Sequence, residues 1–136
     1  GVSLGIARAA FDGALKHAKS RIAFDRKVID FQGIQWYFAD MLPRIDAARL
    51  LVYKAAAESL ASGVDTARYG SEAKLMASIL ATEGASTAVR ICGVYGVSVN
   101  SPFGRYLRDA QAYEVAGGSV EILRNTIGKY LMRDLP

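Results

Sequence analysis

Apolar residues recur every three or four positions along nearly the whole chain, and this spacing gathers them on one face of an α-helix. The first such stretch ends at about residue 21, and its repeating positions are Leu4, Ala7, Phe11, Ala14 and Ala18. No stretch alternates apolar and polar residues over a length typical of a β-strand. Because each helix must bury its stripe against another helix, the sequence predicts an all-α domain.

Two longer helices follow a polar connection, SRIAFDRKVIDFQ. The stripe of the second helix is Ile34, Phe38, Met41, Ile45, Ala48, Val52 and Ala55. Pro43 lies inside this helix, where its missing N–H and its ring predict a kink. The helix ends near residues 62–63, and Gly63 suits the position just past its last turn. Asp65 suits the N-cap of a third helix, rich in small residues, that reaches about Cys92.

The segment GVYGVSVNSP separates the third helix from the rest of the chain. A short amphipathic helix is predicted near residues 105–110, and a last helix from about Ser119 to Met132. The connections are fairly short, which favours antiparallel neighbours. The predicted architecture is an antiparallel up-and-down four-helix bundle with a short extra helix, formed by residues 1–136 as one domain. Because the helical pattern is already present at Gly1, we expect this domain to belong to a longer chain.

Composition limits the cellular locations and the kinds of partner expected for this bundle. Hydrophobic residues make up 51% of the chain and charged residues 22%, as in ordinary globular domains. No apolar run approaches the ~20 residues of a membrane span, and no signal peptide is evident, so we expect a cytoplasmic location and no membrane partner. One cysteine, Cys92, and one histidine, His17, provide neither an intrachain disulfide nor a Cys/His metal site. The net charge of +4 is dispersed, which favours a solvated surface over a nucleic-acid-binding face.

The most informative local feature is a glycine pair in AGGSVEIL, where Gly117 and Gly118 precede a helix start at Ser119. Glycine adopts backbone angles that are closed to other residues, and Gly118 or Ser119 can cap the helix. The free N–H groups at a helix start suit an anion. This element and the glycines of CGVYG are therefore either helix ends or ligand contacts. His17 is expected at the surface, and Cys92 in the packed interior.

Five segments, in order and with the right spacing, resemble the C-terminal domain of the acyl-CoA dehydrogenase family. ALKHAKSRIAFDRKVIDFQGIQ is similar to its signature of Arg, Phe-Gly, Ile and Phe-Gln-x-x-Gln, and ADM with DAARLLVYKAA is similar to its second helix. VRICGVYG resembles its Gln-Ile-His-Gly-Gly-Tyr-Gly, and RYLRDA its Arg-Leu-Tyr-Arg-Asp-Ala. AGGSVEILRN resembles Tyr-Glu-Gly-Thr-Ser-Glu-Ile-Gln-Arg. The likeness covers essentially the whole chain.

The resemblance implies a bundle that follows an N-terminal helical domain and a middle β-domain, neither of which is in this sequence. It implies FAD bound between the middle domain and the bundle, with contacts from a neighbouring subunit in a homotetramer or hetero-oligomer. The implied reaction removes a proton from the α-carbon and a hydride from the β-carbon of an acyl-CoA or acyl-carrier thioester. An electron-transferring flavoprotein or a similar acceptor would then take the electrons.

The resemblance also implies a set of cofactor contacts. They are Arg21, Phe24, Gln32, Arg90, Val94, Ser119 and Glu121. Arg21 matches the arginine that reaches the FAD diphosphate, which a guanidinium can bind in a bidentate way. Four positions depart from the family pattern, since Asp25 replaces a glycine, Arg90 a glutamine, Cys92 a histidine and Val94 a glycine. The side chain of Val94 would limit how closely the backbone can approach the cofactor.

The most consequential departure concerns the catalytic base. In the register set by RYLRDA and VEILRN, the usual glutamate falls on Gly117 and the tyrosine before it on Ala116. Glycine has no side chain to take a proton, and the nearby substitute Glu114 matches a non-catalytic position. Some relatives carry the base about half a dozen residues before the position of Gly1. We therefore expect an upstream base, space for a branched, cyclic or bulky acyl group, and no turnover by this chain alone. The alternative is a non-catalytic partner subunit or scaffold.

Overall fold

A computed structural model describes residues 1–61 and 65–133 of the chain. Within these ranges the helices are α1 Val2–Ser20, α2 Gln32–Leu60, α3 Thr66–Cys92, α4 Val94–Val97, α5 Phe103–Val115 and α6 Val120–Leu131. A small hairpin pairs β1 Ile22–Ala23 with β2 Arg26–Lys27, and a 3-10 turn follows at Val28–Asp30. The all-α class predicted from periodicity is confirmed, and α1 and α3 end at or next to the predicted residues.

The third helix is the centre of the bundle, because α3 packs against α1, α2, α5 and α6. Its buried residues are mostly small, and they are Ser71, Ala73, Ala77, Ser78, Leu80, Ala81, Gly84, Ala85, Ala88, Ile91 and Cys92. Small side chains let several helices approach one helix closely. At Gly84 an added Cβ would lie only 3.1 Å from the terminal methyl group of Met41 on α2. The predicted small-residue helix therefore forms the interior of the domain.

Larger side chains fill the space between α1, α2 and α3. Phe11 and Phe38 meet edge to face, with ring centroids 5.4 Å apart, which is an arrangement that aromatic pairs prefer. Ile45 and Leu80 are fully enclosed. Complete burial of an aliphatic side chain of this size contributes about 1.5–3 kcal/mol. These contacts join the three long helices into one core.

The connection between α1 and α2 contains a hairpin that the sequence did not predict. Its strands pair antiparallel, and the two residues between them, Phe24 and Asp25, have φ angles of 53° and 61°. Positive φ at both central positions is typical of tight hairpin turns, whose twist matches that of their strands. Residues other than glycine rarely adopt it. The residue types at these two positions therefore give little indication of the hairpin.

α5 spans Phe103–Val115 and therefore extends beyond the predicted residues 105–110 at both ends. Its first residue, Phe103, lies in the core. α2 continues through Pro43 as one helix, and a kink there stays a prediction. Gly63 lies outside the described residues. Among the helices described, none is both long and apolar enough to cross a membrane.

Asp65 occupies the N-cap of α3, as predicted, but it does not act as a cap. Its side chain makes no capping hydrogen bond, and its carboxylate instead accepts a hydrogen bond of 3.1 Å from the Tyr130 hydroxyl on α6. A tertiary contact has replaced the local one. The acid thus ties the first turn of α3 to the last helix.

Gly96 provides a test of how closely the segment after α3 packs on that helix. A Cβ atom at this position would lie 2.5 Å from the carbonyl oxygen of Val89 and 2.9 Å from its Cα. Backbone atoms cannot rotate away, so we expect Gly96→Ala to lower the free energy of unfolding by about 1–3 kcal/mol. Urea denaturation of the variant measures this change.

Gly5→Ala is the matched control for that measurement. Nothing lies within 4 Å of a Cβ added at Gly5 in α1, and alanine is favoured over glycine inside a helix by about 0.5–1 kcal/mol. The two substitutions should therefore change stability in opposite directions. A loss at Gly5 as large as that at Gly96 would contradict the close approach.

Candidate functional site

An open groove lies where the last turn of α1, the end of α3 and α4 meet. Its volume is about 500 Å³, and its walls are His17, Arg21, Val28, Ile91, Cys92, Gly93, Val94 and Tyr95. Two of the predicted cofactor contacts, Arg21 and Val94, are thus brought together across a sequence separation of more than seventy residues. The predicted packed residue Cys92 lies beside them.

The floor and one wall of the groove follow from the way α3 ends. Gly93 has a φ of 57°, a conformation that favours glycine, and its N–H donates to the carbonyl oxygen of Arg90 at 3.3 Å. The chain then turns into the single helical turn α4, where the N–H of Gly96 donates to the carbonyl oxygen of Gly93 at 2.8 Å. The turn leaves Val94 exposed at the rim and places Tyr95 against α1.

His17 lies in the wall of the groove with its ring stacked on that of Tyr95. The ring centroids are 5.2 Å apart and the ring planes differ by 6°. Burial lowers the pKa of His17 below its usual value, and the positive charge of Arg21 lowers this pKa further. The imidazole is therefore neutral at pH 7 and offers one donor and one acceptor. His17 lies at the surface, as predicted, but it is half-buried because Tyr95 covers one face of the ring.

Cys92 is buried beside the groove, as predicted. Burial raises the pKa of its thiol to about 11. The nucleophilic and metal-binding form of cysteine is the thiolate, and it is scarce at neutral pH when the pKa is this high. Cys92 therefore contributes packing to this wall rather than reactivity.

Arg21 is held at the mouth of the groove by main-chain hydrogen bonds. Its N–H donates to the carbonyl oxygen of His17 at 2.8 Å, and its carbonyl oxygen accepts a hydrogen bond of 2.9 Å from the N–H of Val28. The hairpin between these two residues thus fixes where the chain leaves α1. The side chain itself is exposed, so its guanidinium is accessible to an anion.

Phe24 lies at the exposed tip of the hairpin. Its side chain is 89% exposed, which excludes a core position in this domain. Its ring meets that of Phe31 edge to face, with centroids 6.3 Å apart. Gln32, the first residue of α2, and Arg90, on the last turn of α3, are also exposed. Neither these two residues nor Phe24 lines the groove. Exposed aromatic surface on a tight turn is suited to contact with a ligand or a neighbouring chain.

A second region lies at the turn between α5 and α6. Gly117 and Gly118 have φ angles of 68° and 99°, as the glycine pair predicted. Lys74 on α3 supports this turn, since its ammonium group donates to the carbonyl oxygen of Gly118 at 3.0 Å and to that of Tyr113. A Cβ atom at Gly117 would have nothing within 4 Å. Gly117 is therefore an open, exposed point of main chain.

The start of α6 is already occupied by a carboxylate of the chain itself. Ser119 is the N-cap residue of α6, one of the two positions predicted for the cap, but its hydroxyl makes no capping hydrogen bond. The backbone N–H of Glu121, and then the Ser119 hydroxyl, donate hydrogen bonds to the Glu121 carboxylate and lower its pKa. Acidic groups are stabilised at this end of a helix. Glu114 lies half-buried near the end of α5, one helical turn before Gly117.

The two regions lie at opposite ends of α3. Lys74 marks the turn before α6 and Cys92 marks the groove, and along α3 they are about 27 Å apart at 1.5 Å per residue. The fold therefore does not gather all of the predicted contact residues into one site. Arg21 and Val94 belong to one region, and Ser119 and Glu121 belong to the other.

These features define a helical-bundle domain with an open groove beside Arg21 and a separate glycine turn before α6. Residues 1–132 match the family model described as the acyl-CoA dehydrogenase C-terminal domain. The chain belongs to the acyl-CoA dehydrogenase family, whose members include flavoprotein oxidoreductases.

Two curated relatives illustrate the range of this family. The chain is 42% identical to an acyl-CoA dehydrogenase of Bacillus subtilis (strain 168), over 96% of this chain and 34% of the relative. It is 40% identical to a 3-sulfinopropanoyl-CoA desulfinase of Paraburkholderia xenovorans (strain LB400), over 96% of this chain and 33% of the relative. The chain thus spans about a third of the length of the curated relatives it matches.

A solved structure agrees with the fold. The butyryl-CoA dehydrogenase from Megasphaera elsdenii superposes with a TM-score of 0.93 at 37% identity, over 96% of this chain and 34% of that structure. The bundle is therefore shared in detail, including the order of its helices.

The pKa of His17 gives a direct test of the groove. Because the folded-state pKa lies below the value of 6.5 expected for the unfolded chain, the unfolded state binds the proton more readily. The contribution of His17 to stability is therefore complete above about pH 6.5 and is lost as the pH falls through the folded-state pKa. This is the only histidine of the chain, so one imidazole resonance in an NMR titration reports it.

The same titration separates the two causes of the shift. Arg21→Gln removes the positive charge, so we expect the pKa of His17 to rise while staying below 6.5, because burial is the larger cause. A wild-type midpoint at or above 6.5, or no response to Arg21→Gln, would contradict the arrangement of this groove.

Proposed function

We propose that this chain is the C-terminal domain of a flavin-dependent acyl-CoA dehydrogenase whose catalytic base lies upstream of these residues. The full-length protein would oxidise the α,β-bond of an acyl thioester and pass the electrons to an electron-transferring flavoprotein or a similar acceptor. The observation that carries this proposal is the combination of the family's bundle with an open glycine at the usual position of the base. The absent side chains of Ala116 and Gly117 favour a branched, cyclic or bulky acyl group.

The residues present fit FAD as the cofactor. The exposed guanidinium of Arg21 offers paired donors to a diphosphate, and the groove beside it is open where Gly93 turns the chain. When bound, the flavin supplies the hydride acceptor. The Ser119 hydroxyl and the main chain at the start of α6 would contact the cofactor from the other region. The Glu121 carboxylate already accepts a hydrogen bond from its own backbone N–H at this helix start. A cofactor that contacts the helix start would therefore share the N–H groups there with this carboxylate.

The distance of about 27 Å between the two regions supports an oligomer in which they serve different cofactors. In this proposal Ser119 and Glu121 lie beside the FAD of their own subunit. Arg21, Phe24, Gln32, Arg90 and Val94 would reach the FAD of a neighbouring subunit. A homotetramer or a hetero-oligomer would provide this exchange.

The base can be located by flavin bleaching in the full-length protein. We expect an acyl-CoA to bleach the bound FAD, and conversion of the upstream carboxylate to its amide to slow bleaching by at least roughly a hundredfold, because proton removal loses its acceptor. Glu114→Gln is the matched control, and its bleaching rate should stay within about threefold of the wild-type rate. Glutamine has the shape of glutamate, so it fits the same half-buried position. Loss of bleaching in Glu114→Gln alone would transfer the role to Glu114.

FAD affinity tests the proposed contact at Arg21. We expect Arg21→Ala in the full-length protein to weaken FAD binding by roughly tenfold to a hundredfold, because a hydrogen bond to a charged group contributes about 1.5–3 kcal/mol. Titration of the apoprotein, followed by flavin fluorescence, measures this loss. Arg8→Ala removes an exposed arginine of α1 that is paired with Asp12, and it should leave the affinity unchanged.

A second candidate function is that of a desulfinase acting on an acyl-CoA that carries a sulfino group. The 40% identity to the Paraburkholderia desulfinase supports it, together with the glycine at the usual position of the base. In this reaction water supplies a hydrogen to the carbon and its oxygen to the sulfur, the carbon–sulfur bond breaks, and the sulfur leaves as sulfite, so no net oxidant is needed. Sulfite release from 3-sulfinopropanoyl-CoA without flavin bleaching would favour this candidate over the dehydrogenase.

The remaining alternative is a partner subunit that lacks a base and completes the site of a second chain. Gly117 is compatible with this role as well. Co-purification with a homologous chain that carries the glutamate would support it. A homo-oligomer that is active alone would exclude it.

A further inference from the structure

The turn between α5 and α6 has little packing of its own. Ala116 and Gly117 are exposed, and Gly118 is half-buried. A Cβ atom added at Gly117 would have nothing within 4 Å, and one added at Gly118 would lie 3.7 Å from a methyl group of Leu123. Glycine also restrains the backbone less than any other residue. Contacts from outside the turn therefore decide where its main chain lies.

Lys74 on α3 provides such a contact. Its ammonium group donates to the carbonyl oxygen of Tyr113, in the last turn of α5, and at 3.0 Å to that of Gly118, directly before the N-cap of α6. The last carbonyl groups of a helix lack partners within it, and the helix dipole favours a cation beside them. Because the two acceptors lie on either side of the turn, one side chain ties both of its ends to the central helix of the bundle.

The stem of Lys74 is itself enclosed by helices. It lines a small cavity together with Ser3 of α1, Val52 and Ala55 of α2, and Ala73 of α3. A lysine can lay its methylene groups along such a surface while its charged end reaches polar partners. The place of the ammonium group therefore follows from the packing of three helices and not from the turn that it holds.

We infer that Lys74 is a positioning residue for the reaction of the full-length protein. It touches no reacting atom, but it sets the place of the main chain at Gly117 and of the Ser119 hydroxyl, which in the proposed function border the acyl group and the flavin. The catalytic consequence rests on the proposed function, whereas the restraint on the turn rests on the contacts of Lys74 alone. A displacement of about 1 Å can slow an enzymatic step about a hundredfold. Loss of the restraint should therefore slow the chemical step more than it weakens substrate binding.

Hydrogen exchange measures the restraint in the full-length protein with FAD bound. The amide groups of Ala116 and Leu123 form the main-chain hydrogen bonds that flank the turn. We expect Lys74→Met to speed their exchange by about tenfold or more, because local opening becomes easier, while methionine keeps the length and apolar character of the stem. Amide groups in the central turns of α3 should keep their wild-type rates. Lys129→Met removes an exposed lysine of α6 and is the matched control.

Three results of this measurement would overturn the inference. They are wild-type exchange at the turn in Lys74→Met, equal acceleration in Lys74→Met and Lys129→Met, and acceleration throughout the domain, which would show a general loss of stability. If Lys74→Met does not fold, Lys74→Gln replaces it, because glutamine keeps an N–H donor on a side chain too short to reach both carbonyl groups.

The rate of flavin bleaching separates positioning from a merely structural role. At saturating acyl-CoA we expect Lys74→Met to lower the rate constant of bleaching by roughly tenfold to a hundredfold, with the half-saturating concentration of acyl-CoA changed by less than about threefold. Loss of folded protein would lower only the amplitude, since the molecules that stay folded react at the wild-type rate. A wild-type rate constant, or a change in half-saturation alone, would overturn the inference.

Lys74→Arg tests rescue by a conservative change. Its guanidinium is a cationic donor that can serve two carbonyl groups, so its rate constant should stay within about fivefold of the wild-type value. A rate as low as that of Lys74→Met would contradict a role for these hydrogen bonds. If no acyl-CoA bleaches the wild type, the proposed function fails, and the exchange rates at the turn still support or overturn the restraint by Lys74.

Discussion

The close packing of neighbouring helices on the small-residue surface of α3 is the constraint on which the rest of the structure depends. Alanine, serine and glycine along this helix let α1, α2, α5 and α6 reach it at once. One rigid helix then fixes two distant points, the groove beside Cys92 and the turn supported by Lys74. Their separation of about 27 Å is a property of α3 rather than of any loop. The proposed division of cofactor contacts between two subunits rests on this separation.

The sequence predicted most of this fold, because a buried stripe is a local pattern that residue spacing reveals. It did not predict the hairpin, since Phe24 and Asp25 adopt positive φ angles that their residue types rarely favour. It also missed Lys74, whose acceptors are main-chain oxygens 39 and 44 residues away. A main-chain acceptor has no residue type, so such a contact leaves no pattern to find. Asp65 shows the converse. Its N-cap position was predicted correctly, but its carboxylate accepts a hydrogen bond from Tyr130 instead of capping α3.

The candidate site was predictable to the extent that its residues lie in motifs. Resemblance pointed to Arg21 and Val94, and the fold brings both to one groove. It gave no sign that His17 would stack on Tyr95, since nothing in the spacing of two residues so far apart indicates a ring contact. At the other region, Gly117 leaves an open position while Glu121 places a carboxylate on the helix start next to it. That acid is held in its charged form by the hydrogen bonds that lower its pKa, so it is suited to orienting a neighbour and poorly suited to taking up a proton.

The two faces of α2 have different surroundings in this domain. One face completes the core through Ile45 and its neighbours, and the other presents Trp36, Leu50 and Tyr53 to the outside. Because both faces belong to one helix, a shift of α2 that relaxes the core also moves its outward face. The start of α2 at Gln32 adjoins the hairpin that positions Arg21. The main chain of Arg21 is hydrogen-bonded to Val28 at the end of this hairpin, so the position of Arg21 at the mouth of the groove depends on how the start of α2 packs on the core.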